Sequence, residues 1–407
     1  MKNPLKNIGP GVLVAAAFIG PGTVTVCTLA GVQFGYGLLW AMTLSIVATV
    51  ILQETAARIG LVSQKGLSQV LREQLPAGPV QKTVLGLVLA AVVIGNAAYE
   101  AGNISGGVLG LQALGNSGVV QIGDFTINGF SLLIGAIAFV LLFMGNYKVL
   151  EKVFLTLIVL MSLSFVITAI LTQPNIISIL ENSIIPSFPD GSVLMIVALV
   201  GTTVVPYNLF LHASLVNQKW KNHNELPAAK RDTYVAVILG GLVSMCVIIA
   251  AAALSGNDLD GAAGLAQSLE PLYGSAARYC IGLGLFAAGI TSAITAPLAA
   301  AYVAQGCFNW EVGIKSTKFR LTWMLILGLG VIFATLGIKP IKIIQFAQVA
   351  NGVLLPVIAG ILIWLANRTE LLGNYRNSRL KNIISLIILV ITVILGGRVI
   401  LSVFGLL

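Results

Sequence analysis

The sequence predicts an all-α integral membrane protein. It reads as one domain of about eleven transmembrane helices, with the first and sixth broken near mid-length and two five-helix halves of opposite orientation. Three observations predict this. Of 407 residues, 57% are hydrophobic and only 9% charged, whereas a soluble domain carries about 25% charged residues; the mean hydropathy is +0.97. Apolar runs recur at about 20 residues, the length that crosses a bilayer. Two of those runs carry a proline near mid-length, Pro21 beside Gly20, Gly22 and Thr23, and Pro206 beside Thr202, Thr203 and Asn208.

The spans are expected near 9–34, 37–62, 83–108, 127–146, 149–172, 192–218, 232–255, 276–307, 319–337, 340–366 and 382–405. The opening MKNPLKNIGP has two lysines, but the apolar run behind it is long and lacks a small-residue cleavage site, so it reads as an uncleaved first span. Charge placement tests the count. Of the 23 Lys and Arg residues, all but Arg278, Lys339, Lys342 and Arg398 fall in loops on one side when the N-terminus is cytoplasmic. This satisfies the positive-inside rule and puts the C-terminus outside. The basic net charge is therefore topological and implies no nucleic-acid partner. The outer loops carry Asp124, Glu181, Asp190, Asp258, Asp260 and Glu270, a mildly acidic face that attracts cations. Cys27, Cys246, Cys280 and Cys307 all lie in apolar segments without CxxC spacing and read as small buried hydrophobes.

The first break lies in VLVAAAFIGPGTVTVCTLAGV (Val12 to Val32) and the second in VLMIVALVGTTVVPYNLFLHASLV (Val193 to Val216). Proline lacks a backbone donor and clashes with the preceding turn. In hydrocarbon the freed carbonyls find no water, so a broken helix persists only where it is buried or lines a cavity. No linker interrupts the chain, which is taken as one domain over 1–407. Its repeats run over about 8–175 and 190–367, and an extra helix follows at about 382–405. Five spans per half is an odd number, so the halves are inverted, as in secondary transporters of the LeuT type, whose substrate sites lie at the breaks.

Few residues within the spans carry chemistry. Glu100, in VVIGNAAYEAGNISGG, is the one acid well inside a span, a functional position by default; the competing reading is a structural carboxyl bonded to a neighbouring helix. Glu54 precedes Arg58 by four residues and reads as an i,i+4 ion pair. His212 follows Pro206 by six residues, with Asn208 one turn before it on the same face. It reads either as a satisfied packing residue or as part of a translocation path. The glycines of GLGLFAAGI (Gly282 to Ile290) and GNISGGVLG fit close helix packing. No P-loop, HExxH, GxSxG or Cys/His cluster is present, and the sparse polar set inside the spans argues against an enzyme.

At this point the chain resembles the NRAMP family of divalent-metal transporters, over most of its length. GTTVVPYNLFLHASLV is similar to the family's sixth helix, LQETAARIGLVSQKGLSQVLRE to the run after its second span, GLFAAGITSAITAPLAAAYVAQGCF to its eighth helix and FAQVANGVLLPVIAGILIWLANR to its tenth. The family's first break reads Asp-Pro-Gly-Asn, and both polar side chains bind metal; here it reads Gly20-Pro21-Gly22-Thr23. The family's metal-binding methionine corresponds to Val205 and the following histidine to Tyr207. The position whose carbonyl binds metal corresponds to Thr202. Glu100 matches the third-helix glutamate, an acid one turn before it corresponds to Ala97, and His212 and Gln348 match retained polar positions.

The resemblance thus implies a metal site of Gly20, Thr23, Glu100, Thr202, Val205 and Asn208, with Tyr207, His212 and Gln348 along the path. Its departures resemble the NRAMP-related magnesium transporters. Loss of the soft thioether removes preference for transition metals, and a roomier oxygen site suits Mg²⁺, which keeps several waters. The expected cargo is Mg²⁺, with Mn²⁺, moved without proton coupling. No cofactor is expected. The expected setting is the lipid bilayer of the plasma membrane, as a monomer. A proton-coupled Mn²⁺/Fe²⁺ importer, an amino-acid transporter of the same fold and a receptor built on an inactive transporter fold remain open.

Overall fold

The computed structural model describes residues 19–115, 117–122, 125–145, 148–254, 261–310 and 313–403. Residues 9–18 of the expected first span, with Lys2 and Lys6 before them, lie outside the described residues, as do Asp124, Asp258 and Asp260.

The helices are α1 (Pro21–Phe34), α2 (Leu39–Ser63), α3 (Leu67–Gln74), α4 (Pro79–Ala113), α5 (Gly129–Met144), α6 (Lys148–Leu171), α7 (Ile176–Ile184), α8 (Val193–Thr203), α9 (Pro206–Lys219), α10 (Leu226–Ala252), α11 (Gly261–Gln267), α12 (Glu270–Tyr273), α13 (Ala277–Phe308), α14 (Thr317–Thr335), α15 (Pro340–Ala366), α16 (Thr369–Leu372) and α17 (Arg379–Val403). Among the described residues, nine helical stretches are long and apolar enough to cross a membrane, counting α8 and α9 as one; α5 is a shorter apolar helix. With α1, every expected span has its helix, and α4 overruns the expected bounds at both ends. A short antiparallel hairpin, β1 (Val119–Ile122) with β2 (Phe125–Asn128), is an element outside the sequence expectations.

Local chemistry sets the boundaries. Proline occupies the first turn of α1, α4, α9, α10 and α15, where its missing N–H costs nothing. The side chains of Asn128, Asn175 and Ser316 accept from Phe130, Ser178 and Phe319 N–H groups, satisfying donors that a helix start leaves open. Gly145 ends α5 at φ 65°, a left-handed conformation that favours glycine.

The packing is reciprocal between the halves. α1, which opens the first half, lies against α10, the second span of the second half; α8 and α9 lie against α2, the second span of the first. The most extensive contact joins α4 to α13. Its glycines explain the close approach: a Cβ on Gly289 would sit 2.6 Å from Gly107 Cα, and one on Gly110 would lie 3.0 Å from Phe286 Cα. Small residues let helix backbones meet where lipid offers no hydrophobic drive. Outward faces are apolar, as at Leu133, Phe139 and Val140 on α5 and Ile387 and Ile394 on α17. Cys27 and Cys307 are buried, Cys246 and Cys280 partly so, and all four are free.

Candidate functional site

The second break is explicit in the backbone. α8 ends at Thr203, Val204 leaves the helix at φ −96°, ψ 76°, and Val205 is extended at φ −81°, ψ 119° before Pro206 starts α9. Proline has no N–H to return to the carbonyl four residues earlier, which is that of Thr202. At the first break Gly20 is extended, φ −79°, ψ 173°, and Pro21 starts α1.

Tertiary packing brings the two breaks together. Thr23 Oγ1 lies 2.9 Å from Thr202 Oγ1, and both residues are buried. Gln348 of α15 ties the pair to a third element. A Cβ on Gly22 would overlap the Gln348 side-chain amide and lie 3.4 Å from Thr202 Oγ1, while one on Gly201 would overlap the Gln348 carbonyl oxygen. The glycines at 22 and 201 therefore admit Gln348 between the two interrupted helices. Among the described residues, Gln348 Oε1 and both amide atoms of Asn208 are buried without a hydrogen-bond partner, as is Asn351 Nδ2 one turn along α15. Buried polar groups are nearly always paired, so these open oxygens and amides stand out.

The other expected residues fall into two neighbouring groups. Val205 and Tyr207 are fully buried in a small cluster with Tyr99, Leu211, Ala296 and Ala299. The Tyr99 and Tyr207 rings meet edge to face at 5.2 Å, and among the described residues the Tyr207 hydroxyl has no hydrogen-bond partner. His212 Nδ1 is 2.7 Å from Gln53 Oε1 on α2, with His212 Nε2 and Gln53 Nε2 left open. This resolves the two readings of His212 only in part: among the described residues the ring is anchored on one side and open on the other.

Glu100 lies on α4, which packs beside the first break. α4 touches the first break through Gly106, where a Cβ would overlap the Pro21 ring, but Glu100 lies against Gly330 of α14. Asn103 Nδ2 donates to Glu100 Oε2 at 3.3 Å, and among the described residues Oε1 has no partner. The carboxyl is fully buried, and no ion pair to it is seen among the described residues. Its neighbour Tyr99 links it to the Tyr207 cluster. Sequence reasoning missed Tyr99, Gln53 and Asn351. The signal for Gln53 and Asn351 was present, an amide inside an apolar run, whereas Tyr99 acquires its place only through its packing on Tyr207.

Glu54 holds more than the expected partner. Arg58 Nε is 3.1 Å from Glu54 Oε1, as expected, and Lys230 and Lys381 approach the same carboxylate at 3.2 and 3.0 Å. Arg58 also donates to Asn377 Oδ1 at 2.6 Å and to the Tyr375 carbonyl. Ends of α2, α10 and α17 are thereby gathered at one side of the molecule.

The chain was compared with known proteins. The family model described as natural resistance-associated macrophage protein-like, Nramp, matches residues 11–402. A divalent metal cation transporter MntH of Klebsiella pneumoniae (strain 342) is 28% identical, covering 98% of this chain and 95% of its own length. The protein of the same description from Erwinia tasmaniensis is 27% identical, covering 97% and 94%. Among solved structures, a manganese transporter of Eremococcus coleocola in complex with an aromatic bis-isothiourea compound matches at TM-score 0.74 and 19% identity, over 98% of this chain and 86% of that one. The nucleobase-cation-symport-1 transporter Mhp1 matches at TM-score 0.61 and 15% identity, over 98% and 94%. At such identities the solved structures speak to the fold, which is of the LeuT type.

Proposed function

Since the chain belongs to the Nramp family of membrane transporters, we propose that it carries divalent metal cations across the membrane, with Mg²⁺ as principal cargo, Mn²⁺ as a second, and no proton coupling. It is a transporter and not an enzyme. One observation carries the reading: the contact of Thr23 with Thr202 that joins the two breaks. The groups converging there are neutral and hard. They are the two hydroxyls and the Thr202 carbonyl that Pro206 cannot satisfy, and in this reading the amide oxygens of Asn208 and Gln348 join them. Gly20 brings no carboxylate and Val205 no thioether. Among the described residues no group of three or more His, Cys, Asp or Glu is placed to hold a metal ion. Oxygen donors favour Mg²⁺, Ca²⁺ and Mn²⁺ over softer ions, and Mg²⁺ binds through few protein groups while keeping water.

In this reading the ion passes Gly20, Thr23, Thr202, Val205 and Asn208, with Glu100 contributing charge through the Tyr99–Tyr207 seam and Tyr207, His212 and Gln348 lining the path. The N-terminus is cytoplasmic, the C-terminus external, and the working unit a plasma-membrane monomer. The driving force suffices without protons. At −100 mV a divalent ion gains about 4.6 kcal/mol on entry, at about 2.3 per charge. A second reading, proton-coupled Mn²⁺/Fe²⁺ import, is favoured by the open oxygen of the buried Glu100.

Proteoliposome uptake separates them. Mg²⁺ is expected to compete with Mn²⁺ at comparable millimolar-order concentrations, at the weak end of oxygen-ligand cation sites. An internal pH dye is expected to register no acidification during influx under a negative-inside potential. Micromolar Mn²⁺ uptake indifferent to excess Mg²⁺ overturns the cargo, and metal-dependent acidification that disappears in Glu100→Gln overturns uncoupled transport.

A further inference from the structure

We propose that the ends of α10 and α17 form a headgroup site for an anionic phospholipid, built on the charge cluster around Glu54. The cluster is unbalanced: Arg58, Lys230 and Lys381 bring three positive charges to one carboxylate. Arg58 is buried and spent on Glu54, Asn377 and the Tyr375 carbonyl. Lys230 and Lys381 differ. Each meets a different oxygen of the same carboxylate, and their side chains are 31% and 37% exposed. An ammonium has three donors, leaving both free to accept a second anion from outside. The nearby Glu225 is turned to the Lys221 and Asn222 N–H groups and does not supply it.

The position favours a lipid as that anion. Lys381 lies in the first turn of α17 and Lys230 just past the first turn of α10, near helix starts whose dipoles add to the attraction for phosphate. The outward sides of the same two helices, turned away from Glu54, are exposed and apolar at Val235, Leu239 and Leu242 on α10 and at Ile383, Ile387 and Ile394 on α17. Depth agrees. Asn367 and Asn382 bond each other at 2.6 and 2.9 Å, fixing the start of α17 beside Trp364, whose ring carries the Arg368 guanidinium at 4.3 Å. Tryptophan and arginine of this kind settle at the headgroup level, and basic pockets between spans there bind acidic headgroups. The inference is independent of the cargo proposed above.

The test is lipid retention by the full chain, read by native mass spectrometry after exchange into detergent with equal phosphatidylglycerol and phosphatidylcholine. Wild type is expected to keep phosphatidylglycerol at least tenfold over phosphatidylcholine. The Lys230→Ala/Lys381→Ala variant, in which Glu54 still pairs with Arg58, is expected to lose that preference while remaining monodisperse. The Lys219→Ala/Lys221→Ala variant, on the same side of the molecule, is expected to keep it. Equal retention by the first variant overturns the site. Equal loss in the second reduces the effect to the general positive face, and displacement by millimolar glycerol phosphate assigns the lysines to a soluble anion; either result also overturns the proposal. If the first variant fails to stay monodisperse, Lys381→Gln alone, which leaves Lys230 and Arg58 on Glu54, is read instead. It is expected to reduce the preference at least threefold, and an unchanged preference overturns the site.

Discussion

The Thr23–Thr202 contact admits a quantitative test, because each hydroxyl can be removed at nearly constant shape. Thr23→Val and Thr202→Val each delete one partner of a 2.9 Å bond between fully buried side chains 179 residues apart. Each single change takes a bond worth about 0.5–1.5 kcal/mol and leaves the opposite hydroxyl short of this partner, at about 1–3 kcal/mol. The double variant removes both groups, so it avoids the second penalty. The cycle is expected to show a coupling of about 1 kcal/mol, a factor of about five in the folding equilibrium, with the double variant less damaged than the sum of the singles. Unfolding in mixed micelles gives the energies, and Mg²⁺ uptake into proteoliposomes gives a second readout. If the hydroxyls also face the ion, each single variant raises the KM for Mg²⁺; if they only bind the helices together, KM stays at the wild-type value. Single costs that add to within about 0.3–0.5 kcal/mol, the spread of independent sites, would refute the convergence of the two breaks at this pair.

Three further outcomes follow from neighbouring contacts. Gly201→Ala drives a methyl into the Gln348 carbonyl and to within 2.6 Å of Gly352 N; both are backbone, so a loss above the usual overpacking cost of about 1–3 kcal/mol is expected in thermal unfolding, whereas Gly22→Ala meets a side chain that can rotate and loses transport before stability. Val205→Met adds a thioether beside the second break and is expected to favour Mn²⁺ over Mg²⁺ in competition uptake, with a destabilisation of about 1–3 kcal/mol from the tight Tyr99–Tyr207–Ala296 surroundings; an unchanged Mn²⁺/Mg²⁺ ratio would show that this side chain does not reach the ion. Glu54→Ala strands the buried Arg58 and is expected to cost about 3–5 kcal/mol, measured as loss of monodisperse protein on mild heating, and Glu54→Gln less, since it keeps an acceptor for Arg58.

The sequence by itself determined the membrane class, the set of spans and the interruption of two of them. These depend on local quantities: a bilayer-length apolar run, and a proline whose absent N–H is the same wherever it stands. Yet proline alone was not decisive. Pro297 and Pro356 stand inside the continuous helices α13 and α15, and what distinguishes Pro206 is its setting of Gly201, Thr202, Thr203 and Asn208. Tertiary structure decided the rest. That Thr23 meets Thr202, that Gln348 enters between Gly22 and Gly201, that Glu100 leans on Gly330 and that Glu54 collects lysines from α10 and α17 are all contacts between segments far apart in the chain. Helical periodicity shows that such residues face inward, but which inward faces meet is set by the close fit of whole helices, and that fit rests on glycines whose partners lie in the opposite half of the chain.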